Sequence, residues 1–352
     1  MALAAMLPTL YILSIGKERD VLARYVLKRI LWMIPVMLGV VVIVFTITYL
    51  TPGDPVITIL GSGYTPEKYA AKAAELGLDK GYFGQLFSYI WNIVTKLDFG
   101  KSLYSNVPIV TEFARRFPTT AELGLMGVFI MVALGLPLGI ISAVKQYSIL
   151  DYTLTVLALI MTAIPGFVLS ILGLAYFGVQ LRWVPVSGLD TWKAWILPVA
   201  TNALPCVAII MRQTRTNMLE VIRQDYIRTA RSKGLKENII LRKHALKNCL
   251  IPIVTVIGTS IAMVMSGSII TENIFNIKGM GTFLYTGILK RDYPIINGCV
   301  LLIAFIVCCC NLAVDIAYAF IDPRIRSQYV SARKRKAAVA GTGAQAQQKE
   351  VA

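Results

Sequence analysis

Charged side chains are scarce in this sequence. Only 15% of its 352 residues are Asp, Glu, Lys or Arg, whereas such residues make up about 25% of soluble chains. Hydrophobic residues account for 56% of the chain. This composition excludes an ordinary soluble domain and indicates a protein that lies in a membrane.

Histidine and cysteine provide little material for a metal or catalytic site. His244 is the single histidine, and the six cysteines include no Cys-x-x-Cys pair. Cys308, Cys309 and Cys310 are adjacent, and adjacent side chains on a helix point in different directions, so they cannot share a tetrahedral metal site. No clustered set of Ser, Asp and Glu suggests a membrane-embedded enzyme. We therefore expect no catalytic residue and no metal ligand.

A nucleotide-binding motif is also missing from the sequence. Nowhere does the Gly-x-x-x-x-Gly-Lys-Ser/Thr pattern occur, which in other proteins surrounds the phosphates of ATP. We therefore expect this chain to bind no cofactor. If its work is driven by ATP and Mg²⁺, a partner has to bind them.

Acidic residues are outnumbered by basic ones, 19 against 35, which gives a net charge of +16. Such an excess would suit a nucleic-acid partner, but the basic residues lie in short segments beside apolar runs, where they orient membrane proteins. No nucleic-acid recognition motif accompanies them. We expect the lipid membrane as a partner and no nucleic acid.

Long uncharged runs are what the sequence has in abundance. Backbone polar groups within lipid must be satisfied inside their own segment, so runs of this length are predicted to cross the bilayer as helices. Six crossings and an all-α membrane fold follow. The runs comprise residues 31–51, 123–144, 153–181, 194–211, 248–271 and 293–314.

Lysine and arginine are concentrated before the first run and between the fourth and fifth runs, which predicts that both termini are cytoplasmic. The interval between the first two runs is longer and charge-balanced, with short helices predicted at 66–76 and 82–97, and is interpreted as an external helical subdomain. The predicted organisation is an N-terminal cytoplasmic or interfacial extension at 1–23, a first transmembrane helix at 24–51, an extracytoplasmic subdomain at 52–118, a five-helix core at 119–320 with a cytoplasmic loop at 212–250, and a disordered cytoplasmic tail at 321–352.

The polar stretch between the fourth and fifth runs predicts an amphipathic helix over residues 218–234. On a helical wheel its apolar residues share one arc of about 120°. Gly234 stands where the helix would stop, and a second helical run follows over 235–250 before Pro252. The stretch is either a basic loop that only sets topology or an element that docks to a partner. The arc contains Met218, Leu219, Ile222, Tyr226 and Ala230.

The letters of this stretch resemble the EAA loop of ABC-transporter permeases, in the oligopeptide/dipeptide branch that also includes nickel and glutathione importers. The resemblance lies in residues 224–234, 243–248 and 250–252. Arg228 and Thr229 stand where the general motif has Glu and Ala, a departure that is typical of this branch. By this resemblance, the residues that couple the permease to its ATPase are Asp225, Tyr226, Arg228, Thr229, Ala230 and Gly234.

Other segments resemble the same branch in the same order, and together they cover roughly residues 24–326. In the turn after the fifth run, Lys278 replaces the proline of the family pattern. The resemblance implies the MetI-like fold of type I ABC importers, in the first (B-type) permease subunit. It also implies a bacterial inner-membrane location. The segments are 52–55, 98–103, 182–188, 272–281, 291–294 and 322–326.

The partners that the resemblance implies are a second homologous permease, two ATP-binding subunits and an extracytoplasmic solute-binding protein. The implied function is ATP-driven import, with di- and oligopeptides as the common cargo, although no residue separates these from nickel chelates, glutathione or sugars. A secondary carrier or channel that does not use ATP is the alternative. The lack of a carboxylate at mid-depth argues against it, since Glu122 and Asp315 lie at the edges of runs.

Glycines and prolines within the runs are candidate pore-lining or hinge positions. Gly135 and Gly139 form a Gly-x-x-x-Gly pattern around Pro137, which favours either close helix packing or a kink. A proline at mid-depth frees backbone groups that must face protein or water, or it simply bends the helix. The candidates of this second kind are Pro165, Gly166 and Pro205.

Overall fold

The computed structural model describes residues 2–61 and 63–321, and side chains from residue 26 to 317 except those at 58, 62 and 251. Every regular element in this part of the chain is helical, which confirms the all-α prediction. The predicted tail lies outside the described residues. The chain divides into two compact units, one built from residues 1–35 and 311–352 and the other from residues 36–310.

The first helix, α1 (Ala2–Leu50), contains 49 residues and runs without a break through the predicted N-terminal extension. Its segment Val26–Leu50 is long and apolar enough to cross a membrane. Within the first unit, the guanidinium of Arg29 lies 2.8 Å from a carboxylate oxygen of Asp315, so Asp315 has the basic partner that its position at a span edge requires.

Three short helices follow α1. Asp54 begins the first of them, because its side chain accepts hydrogen bonds from the amides of Val56 and Ile57 and Pro55 occupies the first turn. The prolines that end α1 therefore also start a helix that the sequence did not predict. The two later helices agree with prediction. The three are α2 (Pro55–Leu60), α3 (Pro66–Glu75) and α4 (Tyr82–Lys96).

The next part of the chain contains the longest buried helices. The helix α5 (Ile109–Val144) begins 14 residues before the uncharged run predicted at 123–144. Pro118 and Pro137 both lie inside this helix. The chain then bends by 93° between α6 and α7, and α7 continues as the π-helical segment Leu174–Gln180. These helices are α5 (Ile109–Val144), α6 (Ile149–Ala163), α7 (Gly166–Gly173) and α8 (Trp192–Ile222).

The remaining helices form the polar stretch and the last spans. A π-helical segment, Ile240–Ala245, joins α10 to α11, and Pro252 lies inside α11 rather than at its start. The helices are α9 (Asp225–Ser232), α10 (Glu237–Ile239), α11 (Leu246–Met265), α12 (Ile269–Ile274), α13 (Met280–Lys290) and α14 (Tyr293–Ile321).

Four described helices are long and apolar enough to cross a membrane, and two bent helix pairs raise the number to as many as six. The six predicted crossings are met when each bent pair counts as one span. The bent pairs are Ile149–Ala163 with Gly166–Gln180, and Glu237–Leu250 with Pro252–Met265.

The largest buried cluster lies where α5, α8, α9 and α11 meet. Met131 of α5, Ile210 and Met218 of α8, Ile227 of α9 and Ile253 of α11 are at most 1% exposed. The short helix α9 is therefore held by the same core as the spans on either side of it, which positions the polar stretch.

Candidate functional site

The polar stretch is not one helix. The span α8 continues to Ile222, and α9 begins only at Asp225, because Gln224 adopts an extended backbone (φ −69°, ψ 149°). The prediction of a continuous helix over 218–234 is therefore wrong. A helical wheel assumes an unbroken helix, so the break puts Ile227 in place of Tyr226 on the buried side of α9, while Ala230 is buried as predicted.

The buried side of α9 consists of Ile227, which has no exposed surface, and Ala230, which is 8% exposed. Tyr226 was predicted on this side but is 43% exposed. Its hydroxyl accepts a hydrogen bond from the amide nitrogen of Asn248, at 2.8 Å. Two residues thus anchor α9 to the core, while Tyr226 joins it to the start of α11.

The outer side of α9 is charged and open. The side chains of Asp225 and Arg228 are 98% and 74% exposed, and 3.9 Å separates their closest charged atoms. Thr229 is exposed beside them. An ion pair this open adds almost nothing to folding stability, so the charges are available to a partner.

The end of α9 agrees with the sequence prediction. Gly234 has φ +74°, the left-handed conformation that glycine adopts without strain, and its amide donates to the carbonyl of Arg231 at 2.9 Å. Beyond the turn, the guanidinium of Arg231 bonds both carboxylate oxygens of Glu237, at 2.6 and 3.1 Å. This pair closes the turn between α9 and α10.

An ion pair that the sequence did not reveal ties the α5–α6 turn to α8. Arg215 donates two hydrogen bonds to Asp151, at 2.7 and 2.8 Å, in the bidentate geometry that guanidinium and carboxylate favour. The hydroxyl of Ser142 and the amide of Tyr147 also donate to Asp151, whose side chain is only 2% exposed. Arg215 lies about two turns before the end of α8, so the pair fixes the last part of that span.

The glycines of the Gly-x-x-x-Gly pattern lie against α8. A β-carbon at Gly135 would come within 2.9 Å of the carbonyl oxygen of Val207, and one at Gly139 within 2.5 Å of that of Met211. Both glycines are buried, and α5 stays helical through Pro137. These distances favour the close-packing interpretation over a kink.

The other hinge candidates differ from one another. The helix breaks at Pro165 and Gly166, where the 93° bend lies. In contrast, α8 continues through Pro205 without a break. A hydrogen bond of 3.0 Å between the hydroxyls of Ser170 and Thr201 joins α7 to α8 just beyond the bend. A hinge is therefore structurally possible at residues 165–166, while Pro205 sits in a regular helix.

A small cavity lies between α5, α8 and α11. It measures about 20 Å³ and is lined by Gly124, Gly127, Met131, Asn202, Cys206 and Ser260, among others. This volume corresponds to about one water molecule. This cavity is therefore too small to hold a peptide.

Several segments that carried the family resemblance contact one another in the fold. One of these contacts is made by Asp292. Its side chain is 1% exposed and accepts hydrogen bonds from the hydroxyl of Ser102, at 2.7 Å, and the amide of Leu103, at 3.1 Å. Gly53 packs closely against the guanidinium of Arg291. The segments 52–55, 98–103 and 291–294 thus form one contiguous structure.

A second contact between such segments is made by Glu272, which has no exposed surface. Its carboxylate accepts hydrogen bonds from the hydroxyl of Thr120, at 2.8 Å, and from the amide of Thr282, at 2.9 Å. Burial raises the pKa of the Glu272 carboxyl above its ordinary value, and these hydrogen bonds partly offset the rise. The carboxylate joins α12 to α5 and to the first turn of α13.

Because Gly279 has no side chain, there is room beside it for the Glu272 carboxylate. A β-carbon there would overlap a carboxylate oxygen of Glu272 and lie 2.6 Å from the Thr120 hydroxyl. Gly279→Ala should therefore separate Glu272 from its donors and lower the free energy of unfolding by about 1–3 kcal/mol. Thermal unfolding of the protein in detergent measures this change.

The matched control is Gly81→Ala, because a β-carbon at Gly81 meets no atom within 4 Å and φ there is −60°. Its melting temperature should equal that of the wild type. If Gly279→Ala melts at the same temperature as Gly81→Ala, the buried carboxylate network contributes nothing to stability.

Comparison with known families agrees with this geometry. The profile described as "Binding-protein-dependent transport system inner membrane component" matches residues 135–327, and that of the N-terminal part of such membrane components matches residues 22–124. The chain belongs to this family. It is a multi-pass membrane permease of the ABC importer class, as the sequence resemblance predicted.

Individual relatives match this permease over nearly their whole length. The dipeptide transport system permease protein DppB of Escherichia coli strain K12 is 36% identical over 335 residues, which cover 86% of this chain and 98% of that protein. A putative peptide transport system permease protein of Brucella abortus strain 2308 is 39% identical over 309 residues, with the same coverage.

A solved structure supports the predicted fold. A chain of the MetNI methionine ABC transporter, in inward facing conformations, superimposes with a TM-score of 0.52 at 20% identity and covers 60% of this chain and 97% of its own length. This confirms the MetI-like fold. Membership of the family implies that the permease works with an ATPase and a binding protein.

Proposed function

We propose that this permease forms one half of a transmembrane pore that imports di- or oligopeptides, with a second homologous permease as the other half. Two ATP-binding subunits would attach to its cytoplasmic side, and an extracytoplasmic solute-binding protein would deliver the cargo. Relatives named as dipeptide and peptide transport permeases support the choice of cargo.

The observation that carries the coupling role is the two-sided character of α9. Ile227 and Ala230 bind it to the core, while Arg228 and Thr229 project outward without a strong partner. A short helix that is packed into the core on one side can transmit force. A partner bound to the outer side of α9 cannot move it without also moving α8 and α11. Closure of the two ATPase subunits would then shift the pore between inward- and outward-facing states.

The proposed orientation follows from the same assignment. With α9 on the cytoplasmic side, the segment that contains α2, α3 and α4 lies on the extracytoplasmic side of the membrane, and both termini lie in the cytoplasm of a bacterium. The proposed subdomain thus reaches from residue 52 to the start of α5. This chain supplies no catalysis and binds no cofactor, and ATP and Mg²⁺ act in the partner subunits.

Arg228 offers the sharpest test of coupling. Charge reversal in Arg228→Glu should leave folding intact, since the side chain is 74% exposed and only weakly paired. ATP-dependent peptide uptake in vesicles containing the full transporter should fall at least about tenfold, because truncating an interface hot spot, a class in which arginine is common, costs about 2 kcal/mol or more. Ala230→Glu is a poorer test, since it would also disturb the buried side of α9.

Lys68→Glu on α3 provides the control, because it makes the same charge change on an exposed residue of another helix. Its uptake and ATPase activity should match the wild type. Normal uptake by Arg228→Glu would contradict coupling through α9. Uptake that persists without ATP would instead favour a secondary carrier or channel.

A further inference from the structure

We propose that α4 is a lipid-facing helix, with one side inserted among the acyl chains of the leaflet beside the carboxyl-terminal end of α1. That this is the outer leaflet rests on the orientation proposed above. The helix would thus belong to the membrane surface of the protein rather than to a water-exposed subdomain.

The open side of α4 carries a stripe of large apolar residues at helical spacing. Phe83, Phe87, Trp91 and Val94 lie four, four and three residues apart and therefore share one side. Their exposed fractions are 81%, 66%, 56% and 72%. A contiguous apolar surface of this kind is rarely left in water.

The opposite side of α4 packs on α1. The ring of Tyr82 lies 5.9 Å from that of Phe45 and 5.1 Å from that of Tyr49, and its hydroxyl is 2.7 Å from the hydroxyl of Thr46. Farther along α4, the ring of Tyr89 lies 5.9 Å from that of Phe45. The helix is therefore fixed against α1, with the stripe directed away from it.

The contacts between α4 and α1 determine how deep α4 lies in the bilayer. Phe45 lies five residues before the end of α1, which corresponds to about 7 Å along a helix axis. Since α1 crosses the membrane and its apolar window extends to Leu50, two turns of α4 lie beside a segment at acyl-chain depth. Ile43 and Ile47 of α1, each 60% exposed, provide the lipid-facing surface that α4 extends.

The scarcity of charged residues in α4 also fits a helix inserted in lipid. The helix α4 contains no acidic residue, and its one basic residue, Lys96, lies in the last turn. A long lysine side chain at the end of an inserted helix can reach the headgroups, and tryptophan favours the same interface. A protein partner bound through polar contacts would find few of them on this side, whereas acyl chains require none.

Spin-label accessibility in lipid vesicles tests the assignment. The full transporter, with native cysteines replaced and uptake intact, would carry a nitroxide at Phe87→Cys, with references at Ile43→Cys on the span and Ala71→Cys on the exposed side of α3. We expect the label at position 87 to show a high collision rate with oxygen and a low collision rate with the water-soluble nickel complex NiEDDA, as at position 43. Position 71 should show the reverse.

Two results would overturn the proposal. Collision with NiEDDA at position 87 equal to that at position 71 would place the stripe in water. Protection from both oxygen and NiEDDA would mean that protein covers it, for example the second permease or the binding protein. Repeating the measurement without the binding protein would then tell these two covers apart.

Discussion

Replacing Gly139 by leucine is expected to abolish the folded permease. The β-carbon alone would lie 2.5 Å from the carbonyl oxygen of Met211 and 2.6 Å from the β-carbon of Thr214, and a backbone oxygen inside a helix cannot turn away. α5 and α8 would have to separate along the buried interface that carries the main core. Small residues let membrane helices approach in this way, and overpacking by even one methylene costs about 1–3 kcal/mol.

The yield of monodisperse protein from membranes, followed by thermal unfolding of what is recovered, measures this effect. Gly127→Ala is the matched control, since Gly127 is buried in the same helix but a β-carbon there meets no atom within 4 Å. That substitution should leave stability unchanged or raise it by about 0.5–1 kcal/mol, because alanine favours a helix over glycine. Equal yields for Gly139→Leu and Gly127→Ala would show that the α5–α8 contact is looser than the distances at Gly139 indicate.

The sequence allowed the local features of the molecule to be predicted well. The Gly234 stop and the helices that became α3 and α4 depend on residues that lie close together in the sequence. Helical spacing and capping act over a few residues, so a single sequence contains their signal. The family resemblance supplied the fold.

Features that depend on distant contacts were missed or misplaced. The break at Gln224 moved Tyr226 off the buried side, because packing of Ile227 into the core outweighed the continuous helical pattern. The Asp151–Arg215 pair joins residues 64 positions apart, and Arg215 looked like one more basic residue of a cytoplasmic loop. No periodicity in the sequence reports which distant carboxylate a given arginine meets.

Removing the guanidinium from the Asp151–Arg215 pair should be among the most damaging single changes to this permease. In Arg215→Met, the Asp151 carboxylate would stay buried with only the Ser142 hydroxyl and the Tyr147 amide as donors. Breaking a buried pair costs about 3–5 kcal/mol, and we expect the lower part of that range because the Arg215 side chain is 25% exposed. Thermal unfolding in detergent and peptide uptake in vesicles both report the loss.

The double variant Asp151→Asn/Arg215→Met separates an electrostatic cause from lost packing. Without a carboxylate to strand, the double variant should be more stable than Arg215→Met, since replacing both partners is far milder than removing one. Its uptake should nonetheless remain low, because the bidentate bond is what joins the α5–α6 turn to the last part of α8, the span that precedes α9. Uptake restored together with stability would mean that the pair serves folding alone, and that the motion of α9 reaches the pore without it.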